Sequence, residues 1–180
     1  MTSLTRDPLL AAAKILLYLL MGGIGLGAAA CVVAVPAVIV MHAEVAGELL
    51  REMPSLQIEH IIPAICTVLL FAAALLGAVF LMLLLLKRIV DTVGEGDPFV
   101  PQNAVRLTRM AWLALGVQIL TVPLVGIGLW LARVVGEKGA DVHAEGGLSG
   151  NGLLLVLVLF ILARVFRKGA EMRAELEGTV

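Results

Sequence analysis

The sequence predicts an all-α integral membrane protein, and three observations support that prediction. Of its 180 residues, 61% are hydrophobic and 15% are charged, whereas soluble domains average about 45–50% apolar and about 25% charged residues. The apolar residues form runs long enough to cross a bilayer. Runs such as LMLLLL, residues 81–86, do not alternate as the strands of a membrane barrel do. We therefore expect helices, whose backbone groups are satisfied internally.

Four apolar segments predict four spanning helices in a single domain, residues 1–180. A span needs about 20 apolar residues. The first segment is longer than that, and Pro36 gives it a place to bend. Glycine and alanine residues within the segments favour close packing, so we expect an antiparallel four-helix bundle. The predicted spans are residues 9–41, 61–86, 111–135 and 148–166.

The distribution of basic residues predicts the direction of the spans. Cytoplasmic loops of membrane proteins are enriched in lysine and arginine. Residues 42–60 contain one basic residue against four glutamates, whereas the hairpin of residues 87–110 and the tail of residues 167–180 are rich in lysine and arginine. We therefore expect a multi-pass membrane protein whose hairpin, tail and both termini are cytoplasmic.

The hairpin is predicted to be two helix ends joined by a turn. Gly94 is placed to end the second helix in a left-handed conformation, GEGDP is typical of a turn, and Pro101 suits the first turn of the next helix. We interpret the hairpin as a docking site for a partner. The alternative is a turn that joins two helices and meets lipid phosphates. The candidate docking residues are Asp97, Phe99, Asn103, Arg106 and Arg109.

The segment RVFRKGAEMRAELEG predicts a helical tail with Val165, Met172 and Leu176 on one face. We favour packing of this stripe on the apolar face of the hairpin's first helix, because exposed apolar stripes are usually covered. A face that binds a partner is the alternative.

Two polar residues, Gln118 and Thr121, lie close to Pro123 within the third span. We favour bonds to the backbone freed by the proline or to a neighbouring helix. The alternative is a polar path in a small solute transporter or channel component. No predicted span has an acidic residue in its interior, and no nucleophile–base pair stands out, so neither a proton pump nor an enzyme is expected.

The tripeptide HAE occurs twice in the segments predicted to face outward. Imidazole and carboxylate groups ligate divalent metals, but nothing in the sequence holds the two tripeptides in register. We therefore expect neither a metal nor a cofactor. The candidate ligands, if a metal did bind, are His42, Glu44, His60, His143 and Glu145.

The chain resembles a bacterial family of four-helix membrane proteins of unknown function, the YoaS-like family. The resemblance rests on VGEGDPFVPQNAVRLTRMAW, residues 93–112, and ARVFRKGAEMRAELEGTV, residues 163–180, and it covers nearly the whole chain. Genes of this family often lie beside one for a Cro-type helix-turn-helix regulator. The resemblance thus implies a protein of the bacterial inner membrane that is a regulatory or sensory partner of a cytoplasmic transcriptional regulator. The chain itself does not have the composition of a DNA-binding protein, so we expect no direct contact with nucleic acid. The glycine-rich faces could also serve a homodimer.

Overall fold

The computed structural model describes residues 8–52, 58–135 and 148–177. This part of the chain is α-helical and contains no strand, which confirms the predicted all-α class. Pro8 and Pro101 occupy the first position of two of the helices, where the missing N–H of proline costs no hydrogen bond. The helices are α1 (Pro8–Val40), α2 (His42–Glu52), α3 (Ile58–Gly94), α4 (Pro101–Val135) and α5 (Gly150–Glu177).

Three of these helices, α1, α3 and α4, are long and apolar enough to cross a membrane. They contain 33, 37 and 35 residues, and each exceeds the ~20 residues that a span needs. Large apolar side chains such as Leu19, Leu26 and Val33 are exposed on α1. A helix that is apolar all round suits contact with lipid rather than with water.

The fourth predicted span, residues 148–166, falls in α5, which is not one of these three helices. Its unbroken apolar run, residues 153–163, is short because Arg164 follows it. The helix also begins beside Gln118, since Ser149 bonds that side chain. Its described part therefore accompanies only the half of α4 nearer the turn at residues 95–100. Residues 136–147, which would connect the two helices, lie outside the described part.

The long helices pack in chain order: α1 on α3, α3 on α4 and α4 on α5. Within the described ranges, no Cα of α1 comes within 8 Å of α4 or α5. The described helices therefore form a row of antiparallel neighbours, and a closed four-helix bundle is not confirmed. Close approach of α1 to α3 occurs at Gly25 and Gly27, where an added methyl group would contact Phe80 and Leu76.

Most of the buried side chains cluster in the half of the molecule nearer the turn at residues 95–100. Helix α4 is central there, and its small residues, including the fully buried Ala111, let α3 and α5 approach from either side. Trp112 of α4 and Phe160 of α5 meet edge to face, with ring centroids 5.6 Å apart. This end of the molecule, which we call the loop end, is therefore the best defined part of the packing. Its core consists of Leu85, Ile89, Leu107, Met110, Ala111, Ala114, Val156, Leu159 and Ala163.

Candidate functional site

The turn at the loop end contains a glycine in a left-handed conformation. Gly96 has a φ of 88°, which costs glycine little and other residues much more. The Gly96 N–H donates to Val93 O at 3.1 Å, and the Asp97 N–H donates to Thr92 O at 3.2 Å. These two bonds are those of a Schellman motif with Gly96 just beyond the helix cap. The prediction that Gly94 takes the left-handed position was therefore wrong, because α3 continues through it.

Asn103 joins α3, the turn and α4 through its side chain. It is fully buried, at 0% exposure. Its Nδ2 group donates to Thr92 Oγ1 at 2.8 Å and to Pro98 O at 2.9 Å, and its Oδ1 accepts from Arg106 Nη1 at 2.8 Å. Both polar atoms of the Asn103 side chain therefore have hydrogen-bond partners, as a buried amide requires. Asn103 therefore fixes where α4 starts relative to the end of α3.

Arg106 extends this network back to α3. The same Nη1 that bonds Asn103 also donates to the carbonyl of Arg88 at 3.0 Å. Carbonyl groups inside a helix normally accept hydrogen bonds from N–H groups of the same helix. The Arg106 guanidinium must therefore lie against the surface of α3 to reach the Arg88 carbonyl. Arg106 thus stabilises the α3–α4 pair through neutral acceptors, and its charge is not matched by a carboxylate in these bonds.

The turn is also joined to α5, beyond that helix's apolar run. The Phe99 ring lies 5.4 Å from the Phe166 ring, centroid to centroid, and rests against Gly169. Asp97 forms an ion pair with Arg173. We call these interactions the loop–tail contact. Both partners of the ion pair are partly exposed, so the contact is of the kind that contributes little free energy and can open.

Helix α1 reaches the loop end through Asp91. The carboxylate of Asp91 lies 2.8 Å from Lys14 Nζ of α1 and 3.2 Å from Lys87 Nζ on its own helix. Lys87 in turn lies 5.4 Å from the centre of the Tyr18 ring, close enough for a cation–π contact. The start of α1, the turn and the far part of α5 therefore meet at one end of the molecule.

The structure gives the five predicted docking residues different roles. Asp97, Phe99, Asn103 and Arg106 make contacts within the chain. Arg109 is exposed and lines a groove between α3 and α4. Nothing tests whether any of them binds a partner, so docking stays a prediction. The internal contacts do favour the architectural alternative for the four that make them.

Sequence reasoning missed the α5 side of this site. Phe166, Gly169 and Arg173 were not singled out, although they supply every α5 atom of the loop–tail contact. One signal was available. Gly169 interrupts a charged helical segment where glycine costs about 1 kcal/mol relative to alanine, and a helical glycine that is kept at such a cost indicates a close approach.

The polar pair in α4 bonds the chain itself. The Gln118 side chain accepts from the Ser149 N–H at 3.2 Å and donates to Ser149 Oγ at 3.4 Å. Ser149 in turn caps α5, because its Oγ accepts from the Gly152 N–H at 3.0 Å. Thr121 donates to Val117 O within α4. These bonds are of the packing type that the sequence favoured.

The candidate metal ligands are only partly described. His42 Nδ1 lies 3.1 Å from the Ile39 carbonyl at the end of α1, and Glu44 and His60 are exposed. Within residues 8–52, 58–135 and 148–177, no three His, Cys, Asp or Glu side chains are grouped to hold a metal. His143 and Glu145 lie outside those ranges, so a metal site that includes them is untested.

These observations first define a class: an all-helical protein with three helices suited to crossing a membrane, joined at one end by a polar and aromatic network. The model of a family described as a protein of unknown function, DUF2975, matches residues 40–180. The chain therefore belongs to the DUF2975 family, and the match includes α2 to α5 with the whole turn. No curated protein and no solved structure matches the chain.

Proposed function

We propose that the chain is a multi-pass inner-membrane protein that regulates a cytoplasmic transcriptional regulator, and that it is not an enzyme. The packing at the loop end supports a topology in which both termini are cytoplasmic. Lys14 near the start of α1, Asp97 of the turn and Arg173 of α5 all lie at this end. Basic residues such as Arg88 and Arg109 are concentrated there, as they are in cytoplasmic segments.

The observation that carries the regulatory proposal is an apolar surface on α5 outside the apolar run. From Ala163 the helix continues to Glu177, about 20 Å at 1.5 Å per residue. Val165 and Met172 on this part are 53% and 50% exposed, so the favoured packing of the tail stripe on α3 is not supported. An apolar surface beside charged residues and beyond the lipid favours a protein partner.

The loop–tail contact offers a way for such a partner to respond to the membrane helices. Phe99 and Asp97 hold the far part of α5 against the turn, and the turn is fixed to α3 and α4 through Asn103. A partner that binds α5 better in one arrangement shifts the population toward it. Movement of α4 against α5 in the bilayer would therefore alter the surface that the partner meets.

The YoaS-like resemblance supplies the class of that partner, a helix-turn-helix regulator, and the chain itself needs no contact with nucleic acid. A homodimer is compatible with this arrangement, because Gly22 and Gly23 of α1 are exposed and nothing lies within 4 Å of a Cβ built on them. Transport is not favoured by any observation, since the polar groups of Gln118 and Thr121 bond Ser149 and Val117.

The proposal is tested by photo-crosslinking in the native host, with the probe at Met172. The matched control carries the probe at Leu154, which is also exposed but lies in the apolar run. We expect mass spectrometry to identify a DNA-binding regulator on the Met172 probe and lipid on the Leu154 probe. The Met172→Glu variant should change transcription of that regulator's target genes. Adducts with lipid alone at Met172, at good yield, would refute the proposal.

A further inference from the structure

A groove of about 540 Å³ lies between α3 and α4 at the loop end. Its walls are apolar and come from both helices, with Leu81 on one side and Trp112, Gly116 and Leu120 on the other. Arg88 and Arg109 close the end nearer the turn. The groove therefore combines a long apolar wall with a cationic mouth.

The two arginines lie at a similar level along the helix axes. Arg88 precedes the end of α3 by six residues, and Arg109 follows the start of α4 by eight, which places them about 9 Å and about 12 Å from the turn. The groove continues from Arg88 to Ala78, about 15 Å of helix. That length is half of a hydrocarbon core about 30 Å thick, which is the depth of one leaflet.

Among the described residues, no acidic side chain pairs with the two arginines at the mouth of the groove. Arg88 and Arg109 are both exposed, and neither guanidinium has a carboxylate partner in the described part of the chain. The neighbouring Lys87 differs, because its charge is matched by Asp91. Two guanidinium groups on facing helices suit a phosphate, which accepts paired N–H bonds.

We propose that this groove binds one anionic phospholipid of the cytoplasmic leaflet. Arg88 and Arg109 hold its phosphate, and an acyl chain lies along Leu81, Trp112 and Gly116. The inference uses the membrane topology of the proposed function but does not depend on its protein partner. A lipid bound at this position contacts both α3 and α4, which Asn103 joins. The lipid composition of the leaflet would therefore affect the packing at the loop end.

The test uses the full-length protein in nanodiscs that contain equal amounts of phosphatidylglycerol and phosphatidylcholine with the same acyl chains. Native mass spectrometry counts the lipids that stay bound after the protein is released from the nanodisc. We expect phosphatidylglycerol to be retained in preference to phosphatidylcholine. Because each juxtamembrane arginine contributes about fivefold in affinity, the double variant Arg88→Gln/Arg109→Gln should lose at least about tenfold of this retention.

The matched control, Arg164→Gln/Arg167→Gln, removes the same charge from exposed positions of α5 and should retain the lipid. A second variant, Gly116→Leu, keeps both arginines. No atom lies within 4 Å of a Cβ at Gly116, so leucine extends into the groove, and lipid retention should fall while the thermal stability of the protein does not fall.

Any one of the following results would overturn the inference: equal retention of the two lipids, equal loss in the α5 control, undiminished retention in Gly116→Leu, or a second protein copy in place of the lipid. Displacement of the phosphatidylglycerol by inorganic phosphate alone would assign the arginines to a free anion and overturn it too. Crosslinking at Met172 is independent of all these results, so failure here leaves the proposed regulatory function standing.

Discussion

The ring of Phe99 lies so close to Gly169 that α5 has no room for a side chain there. A Cβ built on Gly169 would lie 2.6 Å from the Phe99 ring, nearer than carbon atoms pack. A side chain at position 169 is therefore incompatible with the observed position of Phe99 in the turn. This pair couples the connection between α3 and α4 to the tail of α5.

Replacement of Gly169 by alanine should displace Phe99 and loosen the loop–tail contact. We expect the free energy of unfolding, measured by detergent-denaturant titration, to fall by about 1–3 kcal/mol because of overpacking. The control Gly126→Ala adds the same methyl group to an open position of α4 and should be neutral or gain up to about 1 kcal/mol. The double variant Gly169→Ala/Phe99→Ala should recover part of the loss. Equal stability of Gly169→Ala and Gly126→Ala would contradict the contact.

Replacement of Asn103 by alanine should disrupt the junction of α3, the turn and α4. The Pro98 carbonyl would lose its donor and Arg106 one acceptor, so the free energy of unfolding should fall by about 1–3 kcal/mol. The neighbouring Gln102→Ala variant, at an exposed position, should change it by less than about 0.5 kcal/mol. Thermal unfolding of the two variants in the same detergent compares them directly, and indistinguishable curves would show that the network contributes no stability.

The two glycines at the end of α3 should respond in opposite ways to alanine. Gly96→Ala places a side chain at a φ of 88° and should destabilise the protein by about 1–2 kcal/mol. Gly94→Ala adds a methyl group inside a helix, at ordinary contact distance from Leu10, and should be neutral or stabilising by up to about 1 kcal/mol. Thermal unfolding separates these cases. If Gly94→Ala lost more stability than Gly96→Ala, Gly94 rather than Gly96 would be the left-handed residue, as the sequence predicted.

Gln118 and Gly152 should be energetically coupled, although they belong to different helices. A Cβ on Gly152 would coincide with the Gln118 amide, so Gly152→Ala alone should be destabilising. Once Gln118→Ala has removed that amide, the same substitution should cost less, with an interaction energy of about 0.5–3 kcal/mol in a double-mutant cycle. Strict additivity of the two changes would mean that α5 does not begin beside Gln118.

The local features of this protein were predictable from its sequence. The apolar runs indicated helices: residues 9–40 fall in α1, residues 61–86 in α3 and residues 111–135 in α4. Pro101 begins α4 as expected, because its fixed φ and missing N–H suit a first helical turn. Lys87 and Asp91 pair as their spacing allows. Each of these features depends on residues that are close in sequence.

The site depended on approaches between distant helices, which no local pattern encodes. The sequence predicted Asn103 as a docking residue and favoured a bond from Gln118 to freed backbone or a neighbouring helix. Only packing shows that Thr92 and Ser149 are their partners. Likewise, the glycine that takes a left-handed conformation is decided by how far α3 extends before the turn. Local sequence is enough to identify which segments are helical and apolar, because periodicity and backbone sterics act over a few residues. Tertiary structure decided which side chains meet, because that depends on the relative position of whole helices.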